Sequence, residues 1–492
     1  MIRNAALLLP LSAGLFLASL DLYAGFTFEL PVAIWILLSV CAIALAPMQR
    51  RAERPCFPDP ILLLAGLEFV YFPVRALFLC YLPEYAPPAL GAGIATEAKM
   101  IAALKLVTIA ACCTYWGTLI RLPLVRQRNI VRSWSGGIDR NAITVFLVLA
   151  CVGPPLRMWA FVWDVEQQGG LSAITSLLVQ VSLVALATVL VFARDRAQRI
   201  WLLPILAVNL ASMYVFSFKE PFLDLIIYVL AGFALKGSKI PWVKIVFGMA
   251  LAAFVVFPLI EGRRTSDRLG LATVTEGIGN YFQAMPGGSG DNSLIRAVAH
   301  ISQRLHGIES LCLYLQRLPD EIPFEGIQSF GQRLVTTLVP RALFHDKPAT
   351  SRGMYFNSVV VQRQSYGTNV ASIASFQVGD AYSIGGIPMV AVVAFWLGCY
   401  ARYLSRLRTR FQTTAFFPYA CIMLLPILQI EQDVVLVWTT LPKLLLVYLV
   451  AYKICGGVWR PSRSTTTLST LRLSAWPAVA SQKRLVGRSR LY

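Results

Sequence analysis

Charge is what this sequence has least of. Asp, Glu, Lys and Arg make up 14% of its 492 residues, against 57% apolar side chains and a mean hydropathy of +0.63. So few polar groups cannot wrap a water-soluble fold of this length, which excludes soluble enzymes and coiled coils. Histidine is nearly missing too, with three in the whole chain. There is no Asp-x-Asp pair, no Walker loop and no Gly-rich nucleotide fingerprint, so a sugar nucleotide has no recognisable seat. The ten cysteines form neither a disulfide framework nor a zinc spacing, and Cys312 alone falls outside the apolar stretches and basic loops. His300 and His306 would point to nearly opposite faces of a helix, so no metal and no cofactor is expected. No internal repeat is visible.

What is present is a series of apolar runs, at 5–20, 30–47, 60–82, 99–120, 142–162, 171–193, 200–217, 221–236, 240–260, 381–401, 413–430 and 434–454. A spanning helix takes roughly 20 apolar residues. The fold class expected is therefore an all-α polytopic membrane protein of about twelve transmembrane helices, with a large, partly helical periplasmic loop between helices 9 and 10. The first run follows a basic N-terminus like a signal peptide, but is read as a retained span. In domain terms, 1–260 is a membrane bundle of about nine helices, 261–380 the outer loop, 381–454 three further helices, and 455–492 a basic, disordered cytoplasmic tail.

The formal charge of +19 follows this topology. Most Lys and Arg sit at the N-terminus, in alternate connections and in the tail, while the five short connections opposite hold only Lys219. Basic residues beside span ends resist translocation, which places both termini in the cytoplasm. The basic balance thus reflects membrane insertion, and nucleic acid is not implied.

Segment 261–380 departs from a plain bundle. Long connections without structure of their own are rare and tend to be functional. All three histidines, His300, His306 and His345, fall in it, and its eleven basic residues nearly balance ten acidic ones. From Ser293 to Leu318 the apolar residues recur at three and four, predicting an amphipathic helix with Arg296, His300 and Arg304 on its polar face. That face is either simply solvated or an anion site. Arg263 and Arg264 open the segment. They contact lipid phosphate in general or grip a diphosphate with paired hydrogen bonds.

Charge inside the spans is costly and normally faces a cavity or a partner. Arg75, Lys105, Arg157 and Lys219 all fall in the outward half of their spans. Glu68 lies two helical turns before Arg75, so an ion pair between them is one reading; snorkelling explains Arg157 and Lys219. Taken together, the four cations suit a ligand with phosphates at headgroup depth and a tail in the bilayer.

Two stretches resemble a known family, the bacterial O-antigen or oligosaccharide repeat-unit polymerases of Wzy type. Leu338-Val339-Pro340-Arg341-Ala342-Leu343-Phe344-His345-Asp346-Lys347-Pro348 is similar to that family's IPR-x-hydrophobic-W-x-x-KP motif. Gly379-Asp380-Ala381-Tyr382-Ser383-Ile384-Gly385-Gly386 resembles its GE-x-Y-x-x-x-G-x-x-G start of the next span. Asp380 stands where Glu is usual, Phe344 where Trp is common, and Phe218 to Glu220 replaces a Gly-Ser-Arg type turn. The resemblance implies transfer of a glycan from undecaprenyl diphosphate to the nonreducing-end hydroxyl of another lipid-linked unit, on the periplasmic side. The implied partners are an undecaprenyl-diphosphate-linked oligosaccharide, the lipid bilayer, a chain-length regulator and a flippase. An O-antigen ligase or a lipid-linked oligosaccharide flippase is the alternative.

In such a transfer charge builds on the phosphate oxygens, and placed cations supply the main stabilisation. Arg263, Arg264, Arg304, Arg341, Arg75 and Arg157 are the substrate-binding candidates, although Arg341 could equally bridge to Asp346. His345, Asp380 and His300 are the candidate bases for the acceptor hydroxyl, with His306 and Asp346 also in the outer segment.

Overall fold

The computed structural model describes residues 59–81, 96–120, 140–162, 170–193, 196–215, 220–235, 306–339, 352–362, 374–408 and 417–454, with positions 243 and 248. About 90% of the described residues are helical and none lies in a strand. In chain order the helices are α1 (Pro60–Phe69), α2 (Arg75–Tyr81), α3 (Glu97–Leu119), α4 (Arg140–Val162), α5 (Gly170–Phe192), α6 (Arg196–Val215) and α7 (Glu220–Leu235). Then follow α8 (Gly307–Arg317), α9 (Gly326–Leu338), α10 (Arg352–Tyr355), α11 (Gln377–Arg408), α12 (Phe417–Leu428) and α13 (Val434–Ile454).

Nine of the apolar runs coincide with these helices; those at 5–20, 30–47 and 240–260 lie outside the described residues. Among the described residues, five stretches are long and apolar enough to cross a membrane: Pro60–Leu79, Glu97–Leu119, Ile174–Phe192, Gln377–Ser405 and Val434–Ile454. The first joins α1 to α2 through a π-helical turn, Val70–Val74, that contains Pro73. A proline has no N–H to return to the preceding turn, and a widened turn is one way a helix accommodates that loss.

Helices without a hydrophobic drive to associate need close approach or polar contacts. Both devices are used. Where α3 crosses α11, a Cβ on Gly398 would fall 1.9 Å from the Thr114 carbonyl oxygen, and one on Gly117 2.2 Å from that of Phe395. Only glycine permits this crossing. Between α4 and α5, the Ser182 hydroxyl accepts from the Gly153 N–H at 2.9 Å and lies 2.8 Å from the Leu149 carbonyl.

The expected amphipathic helix is present from Gly307 onward, with His306 in a turn before it. Residues 293–305 lie outside the described residues. The face expected to carry Arg296, His300 and Arg304 falls among those residues; on α8 every residue from Gly307 to Tyr314 is buried, Glu309 and Ser310 included. The reason is packing: α8 is enclosed by α2, α3, α11, the Val70–Val74 turn and a second π-helical turn, Phe356–Val361. α9 in turn lies on α11 and α13. The 307–338 stretch is thus part of the bundle, and α11 begins at Gln377, four residues before the expected boundary.

Candidate functional site

Together, 307–338 and the helix ends that meet it carry most of the described buried charge: Arg75, Glu309, Arg317, Asp380 and Asp433, against Glu68 and Asp224 elsewhere. α2 ends, α3 and α11 begin, and α12 passes to α13 at this one end of the bundle. Two groups of side chains result, joined through the first turn of α11.

The first group fastens α8. Arg75 is fully buried, and its Nε and Nη2 donate to Glu309 Oε1 at 2.9 and 2.6 Å. Burial pulls the Glu309 carboxyl above its ordinary range, and the guanidinium pulls it back. Lys99 on α3 donates to Gln316 Oε1 at 3.0 Å. The pairing expected between Arg75 and Glu68 is therefore replaced by one that reaches 234 residues along the chain. As a substrate-binding candidate Arg75 is enclosed, because burial and Glu309 engage the fork that a phosphate would need. Arg157 is partly buried near the end of α4, which packs mainly on α5 and α6. α2, which carries Arg75, meets α8.

The second group surrounds a break in α11. Gly386 has φ +66°, ψ −152°, and Gly385 also departs from helical angles. A side chain would be strained at Gly386, and Pro388 follows without an N–H. The break frees carbonyls, and the Ser383 carbonyl is taken by the Glu325 N–H at 3.0 Å. Phe324 lies over Gly386 and meets Tyr382 edge-on at 5.6 Å. From α9, Arg333 reaches Glu325 at 3.0 Å and Asp380 at 3.5 Å. Lys443, midway along α13, donates to the Thr337 carbonyl at 2.5 Å. Broken helices with charged neighbours at membrane depth are a recurring way to build a binding site.

Asp380 has no exposed surface, and its Oδ2 accepts the Val434 N–H at 3.0 Å, capping α13. With Arg333 on the other oxygen, the carboxylate is committed to holding α9, α11 and α13 together. The carboxylate expected as a base is thus engaged at both of its oxygens in this arrangement. Arg263, Arg264, Arg304, Arg341, His300 and His345 lie outside the described residues, as does Lys219.

The sequence reading missed Glu431. It lies in the short connection between α12 and α13, and burial raises its carboxyl from the ordinary 4.5 to about 7. Tyr71, in the π-helical turn, donates its hydroxyl to Glu431 Oε1. Both residues keep part of their surface exposed, unlike Glu309 and Asp380. The Glu431 carbonyl accepts the N–H of Phe376, a non-glycine residue at φ +56°. That strained, fully buried phenylalanine is ringed by Tyr71, Phe72 and His306 at 5.4, 6.0 and 5.6 Å. Strain of this kind gathers at functional sites. The one signal available was a pair of acids in a connection too short to need them, Glu431 and Asp433.

Cys312 is no nucleophile, because burial pushes its thiol up to about 12. Among the described residues no three metal-ligating side chains gather.

Residues 131–421 match the profile described as Domain of unknown function (DUF8712). The chain belongs to the DUF8712 family. The matched region is more than half of the chain and contains Glu309, Glu325, Arg333, Asp380 and the α11 break; Tyr71, Arg75, Glu431 and Lys443 of this DUF8712 protein lie outside it. No curated protein and no solved structure matches this chain.

Proposed function

We propose that this DUF8712 protein is a bacterial inner-membrane glycosyltransferase that polymerises lipid-linked oligosaccharide repeat units. It moves a glycan from undecaprenyl diphosphate onto the nonreducing-end hydroxyl of another unit, in exopolysaccharide or O-antigen synthesis. In this reading the chain has about twelve spans with both termini cytoplasmic, and 307–338 faces the periplasm. The observation that carries it is the break in α11 at Gly385 and Gly386, beside which Arg333 of α9 meets Glu325 and Asp380 in an otherwise apolar bundle.

The roles follow from charge. Arg333 between two carboxylates leaves no net positive charge for a diphosphate, whereas carboxylates and a guanidinium suit sugar hydroxyls. The diphosphate therefore falls to Arg263, Arg264, Arg304 and Arg341. Its departure needs little acid catalysis, because the leaving group is already stable as an anion. The acceptor hydroxyl must lose a proton as the glycosidic bond forms, and Glu431 is the base: it titrates close to neutral pH, and Tyr71 orients it.

Deletion of the chromosomal copy tests the function. Surface glycan capped with a single repeat unit is expected. Accumulated long chains on undecaprenyl diphosphate would mark a ligase, and single units trapped on the cytoplasmic side a flippase.

A further inference from the structure

α9 reverses the layout of an ordinary surface helix. Its one charged residue, Arg333, turns inward to Glu325 and Asp380. Its exposed positions are Ile327, Gln328, Gly331, Gln332, Val335 and Leu338, none of them charged. Ile327 is 76% exposed and Val335 59%. A helix lying in water places its charges on the open face and its apolar residues beneath.

Depth accounts for the reversal. Lys443 stands nine residues past Val434, which at 1.5 Å per residue is about 13 Å down α13, close to half the thickness of a bilayer core. Its ammonium meets the carbonyl of Thr337. Even with the lysine stem stretched about 6 Å toward the rim, the last turn of α9 sits below the first turns of α13. At the other end, Glu325 and Phe324 meet Ser383 and Gly386, six and nine residues past the start of α11, or about 9 to 13 Å down. Asp320 and Glu321, exposed just before, mark the water side. The helices beneath α9 also carry exposed apolar residues, Val392 and Trp396 on α11 and Leu446 on α13.

We propose that α9 is a re-entrant helix seated in the hydrocarbon of one leaflet, its uncharged face of Ile327, Val335 and Leu338 covered by lipid acyl chains. The Arg333 niche then opens sideways into the bilayer. This goes beyond the proposed reaction and holds whatever ligand the niche takes.

The full chain in phosphatidylethanolamine and phosphatidylglycerol vesicles is the test. A benzophenone amino acid is placed in turn at Ile327, Val335 and Leu338, with Leu446 as a lipid-facing control and Glu321 as a water-facing one; lipid adducts are counted by mass spectrometry after irradiation. The α9 positions should match Leu446 and exceed Glu321 by on the order of tenfold. Yields equal to Glu321, with Leu446 still labelled, overturn the proposal. The unaltered protein gives a second measurement with a phospholipid carrying a diazirine in its acyl chain. Peptides of α9 should be labelled along with those of α13, and labelling of α13 without α9 would reject the re-entrant placement.

Discussion

Two arginine–carboxylate links hold 307–338 to the bundle, built from the same chemistry in opposite senses. In the α8 link the guanidinium belongs to a span and the carboxylate to the segment, and the side chains of Arg75 and Glu309 are 0% and 3% exposed. In the α9 link the guanidinium belongs to the segment and reaches Asp380 of α11; Arg333 is 18% exposed, and Glu325, its second carboxylate from within the segment, 14%. The first pair is sealed from solvent. The second has two carboxylates around one guanidinium, whose Nε finds no hydrogen-bond partner among the described residues. A sealed pair is an anchor; an unbalanced, half-open group retains donors and acceptors for a ligand.

The largest expected effect breaks the anchor. Replacing Arg75 with Met leaves Glu309 buried without its cation, which should cost about 3–5 kcal/mol. Thermal unfolding in detergent reads this directly. Adding Glu309→Leu to Arg75→Met should return most of the lost stability, since a buried pair replaced by apolar groups is close to neutral. A double variant as unstable as the single one would mean that Arg75 serves other partners more than Glu309.

Glu431 comes next. As a base it must be ionised, and its carboxyl titrates at about 7. Polymerisation should therefore rise about tenfold per pH unit below that value and level off above it, while Glu431→Gln loses the limb and roughly 10²- to 10⁴-fold of the rate. Tyr71 is the side chain that donates to it, and the other titratable groups around this connection are His306 beyond Phe376, Asp433 capping α13, Asp380, and the Arg75–Glu309 pair. Tyr71→Phe removes a donor to the charged form, so the limb should move to higher pH. Stability runs the opposite way. The folded chain holds a proton that the unfolded chain has released between 4.5 and about 7, so stability falls as pH rises through that window. Glu431→Gln should flatten that slope.

The helices were legible because the cost of an unpaired backbone in lipid forces apolar runs of fixed length into helices. Their ends fell within a few residues of the expectation. Partners were not legible. Glu68 stood two turns from Arg75 in sequence, yet Glu309 wins because α8 folds back against α2, a contact no local pattern encodes. Asp380 was conspicuous in a Gly-rich motif, and its carboxylate caps α13 and binds Arg333 instead of meeting solvent. Glu431 was passed over for the opposite reason: a connection of a few residues looks inert until Tyr71 and Phe376 are seen packed around it. Arg333 drew no attention because a single arginine on an amphipathic helix normally faces water, and its inward turn follows only from the depth of α9.

The smallest effect sharpens the comparison most. Arg333→Lys keeps a positive charge between Glu325 and Asp380, so the electrostatic term that holds α9 on α11 survives. What it removes is the planar fork that reaches two carboxylates at once and still keeps an N–H without a hydrogen-bond partner. Unfolding temperature should move little, because a partly exposed pair contributes at most about 1 kcal/mol. Polymer length and turnover should fall by about tenfold, the loss of one well-aligned hydrogen bond to a sugar hydroxyl, or about 1.4 kcal/mol. The same exchange at Arg75 should reverse the pattern, lowering the unfolding temperature through lost buried hydrogen bonds while leaving the turnover of the folded fraction intact. If both lysine variants changed stability and turnover in equal proportion, the two links would share one role, and the α11 break would lose its claim as the place where sugar is held.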